Sequence, residues 1–95
     1  MAAYVIYQCE VLDPDAYETY KARASESIRR AGGRYLVRGG ALQVLEGDPD
    51  TGRTVILEFP SREAVLDWYQ SDEYVEVRAL RASAATASLV VVDGL

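Results

Sequence analysis

The sequence predicts a single α+β domain with one antiparallel sheet and helices packed against it. Three observations favour this fold class. The chain has only 95 residues, strand-like runs alternate with segments of helical periodicity, and glycine, proline or serine separate them. Because 49% of the residues are hydrophobic, a core of this size leaves apolar surface to cover. We therefore expect one domain over residues 1–95 that also forms an oligomer.

The N-terminal third of the chain predicts a strand and a long helix. The segment Ala3–Val11 is rich in β-branched and aromatic residues, which favours a strand. Asp13 supplies a capping side chain and Pro14 suits a first helical turn, so the helix should begin there. Gly32 and Gly33 should end it. Its buried stripe recurs at three- and four-residue steps: Tyr17, Tyr20, Ala24, Ile28 and Ala31.

The middle of the chain predicts two strands joined by a loop. Residues 34–45 should form the second strand, with a bulge or close backbone approach at Gly39 and Gly40. Residues 46–53 (EGDPDTGR) are typical of a turn, and residues 54–59 should form the third strand. The loop acids only partly resemble a calcium loop, so we interpret them as solvated and expect no metal there: Glu46, Asp48 and Asp50.

Two helices and a last strand are expected after Pro60. Ser61 should cap the second helix, and residues 71–73 should break it and cap a third helix over residues 74–87. Residues 89–92 should form the last strand. The expected inward-facing residues of the two helices are Ala64, Val65, Trp68, Tyr69, Tyr74, Val77, Leu80, Arg81 and Ala84.

The order β-α-β-β-α-α-β is that of a ferredoxin-like fold. Alternate strand residues point to opposite faces, so Val5 and Tyr7 share one face while Ile6 takes the other. The last strand is apolar on both faces. Helices can cover one face only, and a solvated face would alternate with polar residues. The pattern therefore predicts a homodimer with its two sheets face to face.

Charge and composition exclude several partners. A net charge of −5 disfavours nucleic acid, and no apolar stretch is long enough to span a membrane. The first ten residues lack the features of a signal peptide, and the single Cys9 fits a reducing compartment, so we expect a cytoplasmic protein. The preference for arginine over lysine suggests a bacterium with a GC-rich genome.

The absence of histidine restricts the chemistry. Serine–histidine and cysteine–histidine nucleophiles are excluded, and a metal site would have no imidazole ligand. We expect no metal and no cofactor, since haem would need a tyrosine or Cys9 as its axial ligand. We expect Cys9 to behave as a small buried hydrophobic residue. Lys21 is the only lysine available for a Schiff base.

Arg38 and Glu58 are candidate functional residues on neighbouring strands. An arginine within an apolar strand needs a partner, which is either an acidic ligand or Glu58 itself. Glu58 lies beside Ile56 in an apolar setting that would raise its pKa and suit a catalytic base. The alternative is that Glu58 simply neutralises an arginine.

A second set of candidates clusters around the break between the last two helices. Tyr69, Ser71 and Tyr74 offer hydroxyl groups beside Trp68, and Arg81 lies on the same stripe as Tyr74. These residues either line a cavity or belong to the core, where aromatic side chains usually lie. For Arg81 the alternative is a salt bridge to a nearby acid. Tyr17 and Tyr20 are interpreted as core.

Six segments spread over nearly the whole chain resemble a known family. They are Asp13-Pro14 with Tyr17 and Tyr20, residues 33–40 (GRYLVRGG), 44–47 (VLEG), 58–61 (EFPS), 68–74 (WYQSDEY) and Leu80-Arg81. The chain thereby resembles the domain-of-unknown-function 1330 family of the ferredoxin-like dimeric α/β-barrel superfamily. The resemblance implies the fold and the dimer, and it implies no activity. Asp72 stands where the family pattern has proline, which changes the entry into the third helix.

The wider superfamily includes quinone-forming monooxygenases, polyketide cyclases, muconolactone isomerases, and haem-degrading and dye-decolorising enzymes. Fold alone does not choose among these activities.

The candidates together predict a site for a compact acidic or phenolic organic molecule between the sheet and its helices, near the dimer interface. Arg38 and Arg81 would bind negative charge, and Trp68, Ser71 and Tyr74 would complete the site. If the protein is an enzyme, we expect cofactor-independent isomerisation, cyclisation or oxygenation, with Glu58 or Tyr69 handling the proton. A non-catalytic ligand-binding dimer and a purely structural module are the alternatives.

Overall fold

The computed structural model describes residues 1–49 and 51–95. Its elements confirm the predicted order β-α-β-β-α-α-β and the ferredoxin-like fold. They are β1 (Ala3–Val11), α1 (Pro14–Arg30), β2 (Arg34–Arg38), β3 (Arg53–Phe59), α2 (Arg62–Gln70), α3 (Asp72–Arg81) and β4 (Ala85–Asp93).

Side-chain caps fix the start of each helix. The Asp13 carboxylate accepts a hydrogen bond from the backbone N–H of Ala16, and the Ser61 hydroxyl accepts one from Ala64 at 3.1 Å. The Ser71 hydroxyl does the same for Tyr74 at the start of α3. Each cap satisfies an N–H group that the first turn of a helix leaves without a partner.

The sheet has the strand order β2-β3-β1-β4, and every neighbouring pair is antiparallel. The central strand β1 fixes the register, because Tyr7 lies opposite Val55 of β3 and opposite Leu89 of β4. On the other side of β3, Arg38 of β2 lies opposite the same Val55. The two edges of the sheet are therefore β2 and β4.

The helices cover one face of this sheet. On that face lie buried side chains such as Val5, Leu57 and Phe59, which pack against Ile28 and Trp68. The opposite face, called the open face below, has no helix over it in the described part of the chain. Its exposed apolar side chains are Ile6, Val90 and Val92.

The predicted second strand is too long. Pairing stops at Arg38, and Gly39 takes a left-handed conformation with φ +70° while its N–H donates to the carbonyl of Thr54. The guanidinium of Arg53 lies where a Cβ on residue 39 would sit. The chain therefore leaves the sheet at Gly39, and residues 41–45 belong to no element.

The predicted end of the third helix is also wrong, since α3 stops at Arg81 and β4 already begins at Ala85. The carbonyl of Ala84 accepts hydrogen bonds from Leu12 and Asp13 at 2.7 and 3.1 Å, and Ala85 pairs with Val11. Pairing with the central strand overrides the helix propensity of these alanines.

No helix in the described residues is long and apolar enough to cross a membrane. The residues described also contain no group of three metal-binding side chains. Asp50, one of the three loop acids considered above, lies outside them.

Candidate ligand-binding site

A cavity of about 350 Å³ lies between α2, α3 and the edge strand β4, and we call it the β4 cavity. Its volume falls in the range of small-molecule sites. Apolar side chains such as Val65, Leu89 and Val91 form much of its wall, together with Trp68 and Tyr69. The charged residue among its described lining residues is Arg81.

Arg81 is held by tyrosines. Its Nη1 lies 3.4 Å from the hydroxyl of Tyr20 and 3.3 Å from that of Tyr74, and its guanidinium lies 5.5 Å from the ring centres of Tyr7 and Tyr20. No carboxylate in the described residues lies within salt-bridge distance of this half-buried cation. The alternative prediction, a salt bridge between Arg81 and a nearby acid, is therefore wrong for the described residues.

The two hydroxyl groups beside Arg81 are held together. The oxygens of Tyr20 and Tyr74 lie 2.7 Å apart, so one phenol donates to the other. Both phenols are protonated at neutral pH, and burial raises their pKa further above its ordinary value near 10. One hydroxyl proton of the pair has no acceptor among the described residues. Both hydroxyl oxygens accept from Arg81, and one hydroxyl proton of the pair is left to donate.

A second, smaller cavity of about 30 Å³ lies on the other side of Trp68 and Leu89, which line both cavities. It has room for roughly one water molecule. Tyr20, Tyr74 and Arg38 are among its lining residues. This space therefore connects the two tyrosine hydroxyls beside Arg81 with the end of β2.

Arg38 lies at the edge of this smaller cavity and remains exposed. It donates a 2.7 Å hydrogen bond to the hydroxyl of Ser25 and stacks 4.4 Å from the centre of the Tyr35 ring. The predicted alternative, an ion pair between Arg38 and Glu58, is wrong. Arg38 shares the helix-covered face with Val55, whereas Glu58 faces the opposite way.

Glu58 lies on the open face, away from both cavities. Its carboxylate oxygen lies 2.6 Å from a guanidinium nitrogen of Arg34 on the neighbouring strand. This agrees with the alternative interpretation, in which Glu58 neutralises an arginine. A hydrogen bond to the Glu58 carboxylate raises the pKa of the Tyr4 phenol on the same face. The structure therefore does not bring Glu58 together with the other candidates.

The remaining candidates lie around the turn between α2 and α3. Tyr69 lines the β4 cavity, with its ring edge-on to Trp68 and the Arg78 guanidinium 4.2 Å from its centre. Tyr74 stacks 4.1 Å from Trp68. The Ser71 hydroxyl donates to the carbonyl of Trp68 and accepts from the N–H of Tyr74, so it serves as a cap.

Tyr7 and Tyr20 are site residues that sequence reasoning missed. Tyr17 and Tyr20 are buried, as predicted, yet the Tyr20 hydroxyl contacts Arg81, and that of Tyr17 lies 3.1 Å from that of Tyr7. Burial raises the pKa of Tyr7, and it raises the pKa of Tyr17 to about 12. The positions of these residues in the sequence could have indicated the cluster. Tyr7 lies on the same face of β1 as the other buried residues, and Tyr17 and Tyr20 are one helical turn apart.

Several solved structures share this fold. A protein of unknown function from Rhodopseudomonas palustris has a TM-score of 0.75 and 22% identity, covering 99% of this chain and 82% of that chain. SnoaB, a cofactor-independent oxygenase from Streptomyces nogalater, has a TM-score of 0.68 and 11% identity, covering 99% and 93%. A dimeric ferredoxin-like protein of unknown function from Thermobifida fusca has a TM-score of 0.63 and 14% identity, covering 97% and 90%.

At such low identity these structures bear on the fold and not on the activity. No curated protein matches the sequence. The sequence pattern of one family covers almost the whole chain, from residue 2 to residue 95. The chain therefore belongs to the family described as Domain of unknown function (DUF1330).

Proposed function

We propose that the protein is a homodimer that binds a compact acidic or phenolic organic molecule in the β4 cavity, with the negative oxygen of the ligand on Arg81. The observation that carries this proposal is the electrostatic setting of Arg81. It is half-buried, it lines the cavity, and no carboxylate of the described residues neutralises it.

Two arginines at the surface show the contrast. Arg34 and Arg62 pair with Glu58 and Asp93 at 2.6 and 2.9 Å, and both lie at the surface. Removing a cation from water is costly unless a partner compensates it. Tyrosine hydroxyls and ring faces compensate Arg81 only in part, so an anionic ligand would add a favourable interaction.

The cavity walls indicate the rest of the ligand. Trp68 and Tyr69 offer ring surfaces, and Val65, Leu89 and Val91 are aliphatic. The indole N–H of Trp68 already donates to Ser27 at 3.1 Å, so this residue offers only apolar ring surface to a ligand. Such walls fit a flat and mostly apolar molecule that carries one acidic oxygen.

The same chemistry favours binding over base catalysis. The described lining of both cavities contains no carboxylate, and the raised pKa values of Tyr20 and Tyr74 make them donors rather than bases. The distant Glu58 therefore receives no support as a catalytic base, whereas Tyr69 lines the β4 cavity and stays a prediction. Oxygenation of a ligand that supplies its own oxyanion is the second candidate, because the guanidinium of Arg81 would stabilise such an anion in the β4 cavity.

The open face supports the homodimer. Ile6, Val90 and Val92 expose apolar side chains there, which a second copy of the sheet would remove from water. The structurally similar protein from Thermobifida fusca is described as dimeric. Light scattering at micromolar concentration tests this part of the proposal, and the mass of a single chain would contradict it.

A thermal-shift screen of small aromatic acids, phenols, quinones and lactones tests the ligand site. A ligand at a hundredfold excess over its Kd stabilises the folded state by about 2.7 kcal/mol, which raises the melting temperature. Arg81→Gln should abolish the shift, whereas Arg62→Gln, the matched surface variant, should retain it. Absence of any hit, or equal shifts in Arg81→Gln, would contradict the proposal. Oxygen uptake with each hit then distinguishes turnover from binding.

A further inference from the structure

Positive charge surrounds the smaller cavity of about 30 Å³. Arg38 and Arg53 line this cavity from the sheet, and Lys21 lines it from α1. The described lining of the cavity contains no carboxylate. The chain as a whole has a net charge of −5, so these three residues, called the basic cluster below, are opposite in sign to the rest of the protein.

The sheet brings the two arginines together. Arg38 of β2 lies opposite Val55 of β3, and Arg53 stands two residues before Val55 on the same strand. Alternate residues of a strand share a face, so both arginine side chains lie on the face that the helices cover. Diagonal neighbours of this kind are about 7–8 Å apart, which is within the reach of two long side chains.

Helix α1 places Lys21 between the two arginines. Arg38 donates a 2.7 Å hydrogen bond to the hydroxyl of Ser25. The guanidinium of Arg53 lies 6.0 Å from the centre of the Tyr17 ring. Tyr17, Lys21 and Ser25 follow one another at four-residue steps, which places them on one side of the helix. Lys21 is therefore one helical turn from the contact that each arginine makes with α1.

The charges of both arginines lack a carboxylate partner in the described part of the chain. No carboxylate there lies within salt-bridge distance of Arg38 or Arg53. Lys21 pairs with Glu18 at 3.0 Å, but the glutamate is largely exposed and such a pair contributes little. The arginines that do have carboxylate partners are Arg23, Arg29, Arg30, Arg34 and Arg62. Like charges this close repel one another, and an anion among them would remove the repulsion.

Arg53 also has a buried hydrogen-bond donor without a partner. Its Nε is buried and makes no hydrogen bond within the described residues. A buried donor without an acceptor destabilises a folded protein, so native structures usually supply one. The adjoining cavity has room for about one oxygen atom. A water molecule would satisfy this donor but would leave the charge of the basic cluster uncompensated, whereas an anionic oxygen would do both.

We propose that the basic cluster binds the oxyanion end group of a small molecule, a carboxylate or a phosphate, with one oxygen in the smaller cavity on Nε of Arg53. Guanidinium groups present paired N–H donors that match the oxygens of both groups. Arg38 is exposed, so the rest of the molecule would remain at the surface. The site is separate from the one proposed at Arg81, because Trp68 and Leu89 form a wall of each cavity.

Nuclear magnetic resonance of the arginine side chains tests this site. Protein that contains nitrogen-labelled arginine is titrated with sodium phosphate and, separately, with sodium succinate. Sodium chloride at the same ionic strength is the control for charge screening. The signal of the Arg53 Nε–H group is identified by its loss in Arg53→Lys. We expect this signal to shift to saturation with at least one of the two oxyanions and to stay in place with chloride.

The stronger of the two responses identifies the end group, since phosphate and carboxylate would use the same donors. An equal response to chloride would overturn the site, because it would show screening of charge rather than binding of an oxyanion. No response to either oxyanion would also overturn it, because the buried donor would then have only water as its acceptor.

Substitutions of the arginines give the second readout, the shift in melting temperature with the salt that binds more tightly. Arg38→Gln and Arg53→Gln should each raise the Kd roughly tenfold or more, since each removes a charged hydrogen-bond donor. Arg38 is exposed, so its variant should fold normally and keeps the test valid if Arg53→Gln is unstable. Arg62→Gln, at an arginine outside the cluster, is the matched control and should bind like the wild type. Unchanged binding in Arg38→Gln and in every folded cluster variant would overturn the proposal.

Arg81→Gln separates this site from the function proposed above. Loss of oxyanion binding in Arg81→Gln alone would overturn the second site and assign the anion to the β4 cavity. Loss in the cluster variants alone would support the second site, even where the screen of aromatic acids and phenols finds no ligand that depends on Arg81.

Discussion

The hydroxyl oxygens of Tyr20 and Tyr74 lie 2.7 Å apart, although 54 positions separate the two residues in the chain. This contact joins α1 to α3 directly beneath Arg81, whose Nη1 reaches both hydroxyls. A polar pair buried between helices holds the cation in place, because each group satisfies part of the other's hydrogen bonding. The position of Arg81 therefore depends on a contact between elements that are distant in sequence.

Tyr20→Phe and Tyr74→Phe should each lower the free energy of unfolding by about 2 kcal/mol, since each removes the buried bond between the two hydroxyls and one contact with Arg81. The double variant should lose less than the sum of the two, because both substitutions break the same contact. Urea unfolding of the four proteins measures this coupling. The control cycle pairs Tyr74→Phe with Tyr4→Phe on the open face, where we expect additive losses. Additivity in the first cycle would show that the pair is not coupled.

Alkaline solution should destabilise the protein. Burial raises the pKa of Tyr7, Tyr17, Tyr20 and Tyr74 above the ordinary value near 10. The folded chain therefore keeps phenol protons that the unfolded chain loses above about pH 10, so the unfolded state is favoured as pH rises. The stabilisation is complete below that pH, and the part due to Tyr17 is lost as pH rises toward about 12.

The expected slope reaches about 1.4 kcal/mol per pH unit for each such tyrosine. Urea midpoints measured from about pH 8 upward, with tyrosinate absorbance as a second probe, check this. Tyr17→Phe should give a shallower decline than the wild type. A midpoint that stays constant through about pH 11 would contradict the assignment.

Gly39→Ala should lower the free energy of unfolding by about 1–3 kcal/mol. Residue 39 has φ +70°, which side chains disfavour, and the guanidinium of Arg53 occupies the place of the added Cβ. Gly40→Ala is the matched control, since nothing lies within 4 Å of its added Cβ. Chemical denaturation of both variants makes the comparison, and equal losses would show that the conformation of Gly39 is not required.

Ser71→Ala should cost about 1 kcal/mol of stability and leave ligand binding intact. The hydroxyl caps α3 through the N–H of Tyr74, and losing an N-cap typically costs this amount. Thermal unfolding measures the first effect, and the ligand-induced shift in melting temperature measures the second. A variant of normal stability that no longer binds the ligand would instead support the ligand-binding role predicted for Ser71 from the sequence.

Local signals explain why most elements could be predicted from the chain alone. Asp13 and Pro14, Ser61, and Ser71 mark the starts of three helices because capping depends on residues that are neighbours in sequence. Alternation placed Val5 and Tyr7 on one face and Ile6 on the other, since strand periodicity is also local, and the structure shows that Val5 and Tyr7 face the helices.

The two incorrectly predicted element boundaries, the ends of the second strand and of the third helix, share a different cause. Residues 82–87 have helix propensity, but Ala85 pairs with Val11, and the end of α3 depends on that distant partner. The second strand stops at Gly39 because the backbone turns there and Arg53 from β3 covers it. Neither partner is visible from the sequence around the affected residues.

The sequence by itself determined the order of the elements, the caps of the helices, and which residues of a strand share a face, because these depend on neighbouring residues and on fixed periodicities. Only the tertiary structure decided the partners of the charged groups. The register between β2 and β3 places Arg34, and not Arg38, opposite Glu58. The packing of α1 on α3 places tyrosine hydroxyls around Arg81. Charge pairing acts over a few ångströms, so it follows from how distant segments meet.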